Sequence, residues 1–366
     1  MEFTKTGRGG RKLLHNGYSY VVDEIVKATT YWRCERRKEC NARIRTISDV
    51  EHGQASEHSH PPDGAHNIIL KSLVVMKNSA EQTEEMSSTY GKLRKQTLLP
   101  WELETLGFPR VHPEDDSKAL LLGTSKPPKD ASTRSRICRR CRLKFEVDEE
   151  GKIKEEVCMF HPYRLFRRKY GCCGLGEGEL PCRKSPKHVH DYVNIEEMTG
   201  FTMTKKHLYS QKGIRALSCS WVYTENGTEI ASISIINELL EVVFETKVRT
   251  EGAILDYHRE VTALSETDFL GDKIPTIEKV RINVKSLINK DLIVVGYCLQ
   301  KDLIALRLIH DNVVEITALY PRKKGEISKS SLYHLRKNFL TLENISAPLK
   351  SRENAITILK LAMHKA

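Results

Sequence analysis

The chain has 366 residues, a length that fits two or three domains. Lys and Arg outnumber Asp and Glu by 59 to 48, and the net charge of +11 favours a polyanionic partner. No apolar run approaches the roughly 20 residues of a membrane helix. Residues 1–5 lack the apolar core of a signal peptide. The expectation is an intracellular protein with no membrane association. In such a reducing setting, clustered Cys and His read as zinc ligands rather than disulfides. Eight of the ten cysteines precede residue 183, in two clusters with histidines. Cys219 and Cys298 stand alone in apolar segments and read as core thiols.

In chain order, residues 1–66 are basic and aromatic, with the first Cys/His cluster. Residues 67–133 read as a linker with short helices, one of them over the apolar residues 68–76. Residues 134–190 hold the second cluster. From 191 to 366 the pattern is α/β. Three extended runs come first, at 214–222, 230–236 and 240–246, with a hairpin turn at Glu225-Asn226-Gly227. Then follow a helix at 276–287, a buried strand at 292–295, a helical face over 299–310 and a strand at 313–318. Helices at 330–339 and 353–364 close the chain. A three-stranded meander followed by strand–helix–strand–helix predicts an α/β domain with a mixed sheet.

The first cluster is Tyr31-Trp32-Arg33-Cys34, then Cys40, then His58-Ser59-His60. Two thiolates and two imidazoles suit tetrahedral zinc, and so short a segment needs metal to fold. Phe3, Leu14, Tyr18 and Tyr20 precede it as apolar landmarks. Over about residues 3–62 this resembles the FLYWCH zinc finger, a β-rich module associated with DNA binding. Arg36, Arg37 and Lys38 between the cysteines suit phosphate contact.

In the second cluster, Cys138-x-x-Cys141 and Cys158-x-x-His161 have structural zinc spacing and predict one site. Cys172, Cys173, Cys182, His188 and His190 supply enough ligands for a second ion, with the choice between Cys172 and Cys173, and between the two histidines, left open. Arginines crowd this entry, and Arg136, Arg139, Arg140 and Arg142 read as a nucleic-acid surface. The array, with Leu106-Gly107-Phe108-Pro109 upstream, resembles the one that precedes the nuclease in the RNA exonuclease 1 family.

The resemblance continues through residues 191–366. Ala216-Leu217-Ser218-Cys219-Ser220 stands where that family has Ala-Leu-Asp-Cys-Glu. Val295-Gly296-Tyr297-Cys298-Leu299-Gln300-Lys301-Asp302-Leu303 stands where it has Val-Gly-His-Ser-Leu-x-x-Asp-Leu. Tyr257 after Asp256, His310 and Val313-Val314-Glu315 also fall in step. The resemblance implies an RNase H-like DEDDh 3′–5′ exonuclease fold, two divalent ions held by four acids, and a histidine base. It places those five groups at Ser218, Ser220, Asp302, Leu349 and Asn354, so only Asp302 keeps its charge.

Neutral hydroxyls and an amide do not offset two dications, and leucine accepts no proton. The expectation is a zinc-containing protein without bound Mg2+ or Mn2+, which grips RNA or DNA in a retained groove without cutting it. Alternatives are an active exonuclease with a rearranged metal site, or a scaffold for protein partners. The resemblance implies a nuclear location, for which Arg322-Lys323-Lys324 is too short a signal.

Overall fold

The computed structural model describes residues 1–5, 10–16, 18–61, 88–123, 129–163, 165–166, 168–195, 198–206, 212–271, 273–321, 331–340 and 348–366. The chain divides into two units, Met1–Ser87 and Ser88–Ala366. The predicted helix at 68–76 and the basic run at 322–324 lie outside the described residues.

Alternating apolar residues build the first unit as an antiparallel meander in chain order: β1 (Glu2–Lys5), β2 (Arg11–His15), β3 (Tyr18–Val26), β4 (Thr29–Cys34), β5 (Arg43–Ile47) and β6 (Val50–Glu51). Register pairs Leu13 with Tyr20 and Trp32 with Ile44, and these four form its buried cluster. The Trp32 indole N–H is satisfied by Thr46 Oγ1 at 2.9 Å. Ser48 and Asp49 both take positive φ, as a two-residue hairpin turn between β5 and β6 requires.

The second unit is centred on a six-stranded mixed sheet. Its strands are β11 (Gly213–Thr224), β12 (Gly227–Asn237), β13 (Val242–Lys247), β14 (Ile254–Asp256), β15 (Leu292–Gly296) and β16 (Val313–Glu315). The order is β13-β12-β11-β15-β16, with β14 also pairing with β11. β11–β12 and β12–β13 are antiparallel, whereas β15 runs parallel to β11 and β16. Helices cover both faces. On one, α2 (Ile277–Leu287) and α3 (Leu299–Ala305) pack Val280, Val284, Leu299 and Leu303 against Leu217, Ile233 and Ile235. On the other, α5 (Leu332–Phe339) and α6 (Ser351–Lys365) pack Leu335, Ile358 and Leu361 against Ile214, Ala216 and Ile236. Period-two alternation along β11 thus sends odd and even residues to different layers.

Several element boundaries differ from the sequence reading, three of them for a clear local reason. Leu240 has φ 63° in a turn, so the third strand begins at Val242. The helix predicted to reach 310 stops at Ala305, because Arg307 takes a left-handed φ of 54° and the chain turns into a short strand, Leu308–Ile309. The strand predicted to reach 318 stops at Glu315, whose carboxylate accepts from Thr317 N and starts the short helix α4 (Ile316–Leu319).

The linker reading of 67–133 fails from residue 88 onward. Residues 88–94 are helical, and α1 (Pro100–Thr105) follows. Leu93 is buried under α6, while Leu98, Leu103 and Phe108 are buried in the α2/α3 layer. Gly107 lies so close to Gly123 that a Cβ on Gly123 would come within 2.4 Å of the Gly107 Cα. These residues are core because their apolar side chains fill the sheet's layers, which sequence proximity to polar stretches hides. Phe108→Ala is therefore expected to destabilise the second unit by about 3–5 kcal/mol in zinc-containing buffer, against nearly nothing for a true linker residue; urea unfolding followed by tryptophan fluorescence measures it.

Candidate metal centres and nucleic-acid interface

In the first unit, the end of β4 delivers Cys34, the following loop Cys40, and the segment after β6 His58 and His60. Zinc bonded at about 2.3 Å to sulfur and about 2.0 Å to nitrogen makes tetrahedral edges of about 3.8 Å (S–S), 3.5 Å (S–N) and 3.3 Å (N–N). The observed edges are 3.2 Å for Cys34–His60, 3.4 Å for Cys40–His58 and 3.3 Å for His58–His60. The donor atoms are His58 Nδ1 and His60 Nε2. The opposite nitrogens are occupied as a zinc-bound tautomer demands: His58 Nε2 donates to Tyr20 Oη at 2.7 Å, and His60 Nδ1 donates to the Pro61 carbonyl at 2.9 Å. Tyr18 stacks on His58 at 3.6 Å. The residues fit zinc.

The second cluster resolves into two centres, and the pairing differs from that expected. Cys138, Cys141, Cys158 and His188 converge in one; His161, Cys172, Cys173 and Cys182 converge in the other. Cys158 and His161 therefore serve different ions. Cys158 lies within β9 (Glu155–Phe160), and His161 follows that strand, past its end. β9 pairs with β10 (Arg183–Lys187), after which His188 folds back to Cys141 at 3.3 Å. The β7–β8 hairpin (Ser135–Ile137 with Lys144–Glu146) presents Cys138 and Cys141. Edges of 3.7 Å for Cys138–Cys158, 3.9 Å for Cys172–Cys173, and 3.5 Å from His161 to each of Cys172 and Cys173 again fit tetrahedral zinc. Both Cys172 and Cys173 belong, and the histidine is His188. His190 instead packs on the Gly227 turn of the sheet.

Two of the proposed nucleic-acid arginines are structural. Arg136 is 4% exposed, donates to the carbonyls of Ala131, Thr133 and Ser135, and lies over the Tyr192 ring. Arg140 pairs with Asp256 at 3.1 Å, donates to the Lys187 carbonyl and covers the Phe160 ring. The arginine-dense run hid this, because only the fold brings acceptors to alternate members. Arg139, paired with Asp191 at 3.4 Å, is half-buried, and Arg142 is exposed. Arg36, Arg37 and Lys38 are exposed on the loop between Cys34 and Cys40.

At the exonuclease-like positions, Ser218 and Ser220 are 7% and 4% exposed on the β11 face beneath α6. They pair in register with Ser234 and Ser232 of β12. Ser351, at the start of α6, bridges that pair at 3.1 Å from Ser232 and 2.8 Å from Ser234. Asn354 turns its amide onto the Leu349 carbonyl, and Glu353 is exposed. Asp302 is 5% exposed, and its Oδ1 accepts the Trp221 indole N–H at 2.9 Å. Trp221 packs in the layer opposite to Ser218 and Ser220.

Burial, against the lowering effect of Trp221 and Lys301, raises the Asp302 carboxyl to about 7. Glu315 offers no substitute ligand, since its two oxygens accept from the backbone N–H groups of Cys298, Leu299 and Thr317. A cleft of about 810 Å³ is present, but Trp221 and Lys301 line it and Ser218, Ser220, Leu349 and Asn354 do not. In the layer of Ser218 and Ser220, Ser351 closes against Ser232 and Ser234, while the buried Ser220 hydroxyl has no hydrogen-bond partner among the described residues. Trp221 and Ser351 were missed by the sequence reading; the only signal was the alternation that places Trp221 beside Cys219.

These features define a zinc finger followed by an exonuclease-like α/β unit with two further Cys/His clusters that fit zinc. Residues 3–60 match the FLYWCH zinc finger domain family. The chain is homologous over most of its length to RNA exonuclease 1: it is 30% identical to human RNA exonuclease 1 homolog over 298 residues, covering 75% of this chain and 24% of the relative. It is 29% identical to human putative exonuclease GOR over 317 residues, 82% of this chain and 46% of that protein. With RNA exonuclease 3 of Kluyveromyces lactis it shares 25% identity over 356 residues, 93% of this chain and 70% of the relative. The chain thus spans less than half the length of the two human relatives. A solved structure of the Neurospora crassa Pan2 catalytic unit aligns with 43% of this chain and 28% of its own at 18% identity and a TM-score of 0.37.

Two outcomes check this site. The zinc-loaded chain is expected to hold three ions, one for each cluster among the described residues. By native mass spectrometry, Cys158→Ala with His188→Ala loses one ion, whereas Cys158→Ala with His161→Ala loses two. The raised Asp302 carboxyl sets a pH dependence: the folded state keeps this proton to about pH 7, the unfolded chain releases it near 3.8. Its contribution to stability is full below the unfolded value and is lost as pH rises toward 7. Asp302→Asn removes that slope, so the variant's stability relative to the parent rises by on the order of 3 kcal/mol between pH 4 and 8, read from paired thermal melts.

Proposed function

We propose that the chain is a nucleic-acid-binding pseudo-exonuclease, anchored by structural zinc and without the two-metal chemistry of its fold. The observation that carries this is the state of the one surviving acid: Asp302 is buried and spent on the Trp221 indole. A two-ion centre needs several converging carboxylates to offset four positive charges. Ser218 and Ser220 bring none, Asn354 brings an amide, and Leu349 supplies no base. Mg2+ or Mn2+ has no charged cage among these positions, and zinc serves structure alone.

The positive net charge and the exposed Arg36-Arg37-Lys38 loop support binding to RNA or DNA. A nuclear role fits such a partner. With Mg2+ or Mn2+ and an end-labelled single strand, the purified chain is expected to leave the strand at full length while shifting it in a gel. Progressive 3′ shortening that Asp302→Ala abolishes would overturn the reading.

A further inference from the structure

The 810 Å³ cleft is of the size that accommodates a ligand of several hundred daltons. It opens between the Cys/His region, which contributes Arg139, and the sheet unit, which contributes Trp221, Arg281, Lys301 and Arg307. Its cations are incompletely matched. Arg281 and Arg307 are both tethered at the carboxyl end of α3, Arg281 Nε donating to the Ala305 carbonyl at 2.9 Å and Arg307 Nη1 to that of Ile304 at 3.3 Å. Arg281 has Glu278 at 3.6 Å. Among the described residues no carboxylate lies in ion-pair range of Lys301 or Arg307; Lys301 rests on the Trp221 ring at 4.8 Å, and Arg307 on Phe201 at 5.2 Å. Of the cleft's acids, Asp191 is taken by Arg139, and Glu229 by the backbone N–H groups of Glu251 and Gly252 and the Thr224 hydroxyl. Glu251 is the remaining one.

We infer that this cleft holds the phosphodiester backbone of a single-stranded nucleic acid, with phosphates at Lys301 and Arg307. The inference rests on the nucleic-acid reading above and assigns it a cleft that Ser218, Ser220, Leu349 and Asn354 do not line. Burial, then repulsion from Arg281, pushes the Arg307 guanidinium down to about 10 against the attraction of Glu251. Glu251 thus offsets the two neighbouring guanidiniums only in part, and a further anion beside them relieves the rest. Guanidinium is suited to forked contact with phosphate oxygens, and a cationic cleft with an aromatic wall is the usual means of holding a flexible strand without reading its sequence. Arg139 faces the same space from the Cys/His region, so a strand lying there would touch both parts of the unit.

The test is fluorescence anisotropy of the full zinc-loaded chain with a labelled single strand of about 20 nucleotides, as RNA and as DNA, from about 50 to 200 mM salt. The expected result is that Lys301→Gln with Arg307→Gln weakens binding at least about tenfold and flattens the log–log salt slope by about 1.4, or 0.7 for each lost contact. Zinc content and melting temperature verify folding. Should the Arg307 variant misfold, Lys301→Glu, at an exposed residue, reverses the charge and must weaken binding more than Lys301→Gln. If the parent chain binds with a steep salt slope and these variants bind equally well, the cleft assignment falls and the nucleic-acid reading stands. If the parent binds neither strand, the reading itself falls. The RNA and DNA arms identify the sugar.

Discussion

Metal–ligand bonds replace a hydrophobic core in this chain wherever secondary structure alone is too short to form one. The finger buries one cluster of four large residues, Leu13, Tyr20, Trp32 and Ile44. The Cys34–Cys40–His58–His60 cluster adds to that small core by tying the end of β4 to the segment beyond β6. In the second unit the two clusters adjoin one strand: Cys158 in β9 belongs to one and His161, past its end, to the other. The first of them continues into the sheet through a cluster in which Cys138 and Val189 pack with Tyr223 and Leu255.

The middle of the sheet presents the opposite situation, an interior cleared of charge. RNA exonuclease-type chemistry would place carboxylates on β11; here Ser218 and Ser220 face Ser232, Ser234 and Ser351. Hydroxyls fill that layer without mutual charge repulsion, the Ser220 hydroxyl lacking a hydrogen-bond partner among the described residues, whereas converging carboxylates without cations would repel each other by several kcal/mol. Asp302 is left as a buried carboxyl, satisfied by Trp221 and raised toward neutrality by desolvation. Positive charge has instead accumulated at the edge of α3, where Arg281, Lys301 and Arg307 line a cleft shared with the Cys/His region. On the reading proposed above, such a scaffold holds the phosphodiester backbone without cleaving it.

Much of this was legible beforehand. The ligand types and spacings identified both Cys/His clusters, and the period-two and period-3.6 patterns identified the strands and helices of the α/β unit. The failures have physical causes. Cys158-x-x-His161 has the spacing of a single half-site, yet a strand alternates its side chains, and the residue three positions on leaves toward another ion. Arg136 and Arg140 are arginines in a basic run, yet carbonyls and Asp256 converge on them only after folding. Residues 88–123 are punctuated by polar stretches, yet Leu93, Leu103 and Phe108 complete layers whose other members are more than a hundred residues away.

The sequence by itself determined which side-chain types are on hand: Cys and His of the kind that ligate zinc, and two serines, a leucine and an asparagine where the resemblance expects three acids and a histidine. These are properties of side-chain type, independent of position in space. Tertiary structure alone decided which ligands share an ion, which arginines are buried, and where unmatched positive charge meets solvent. Those depend on distances between residues remote in the chain, set by how the sheet's layers close.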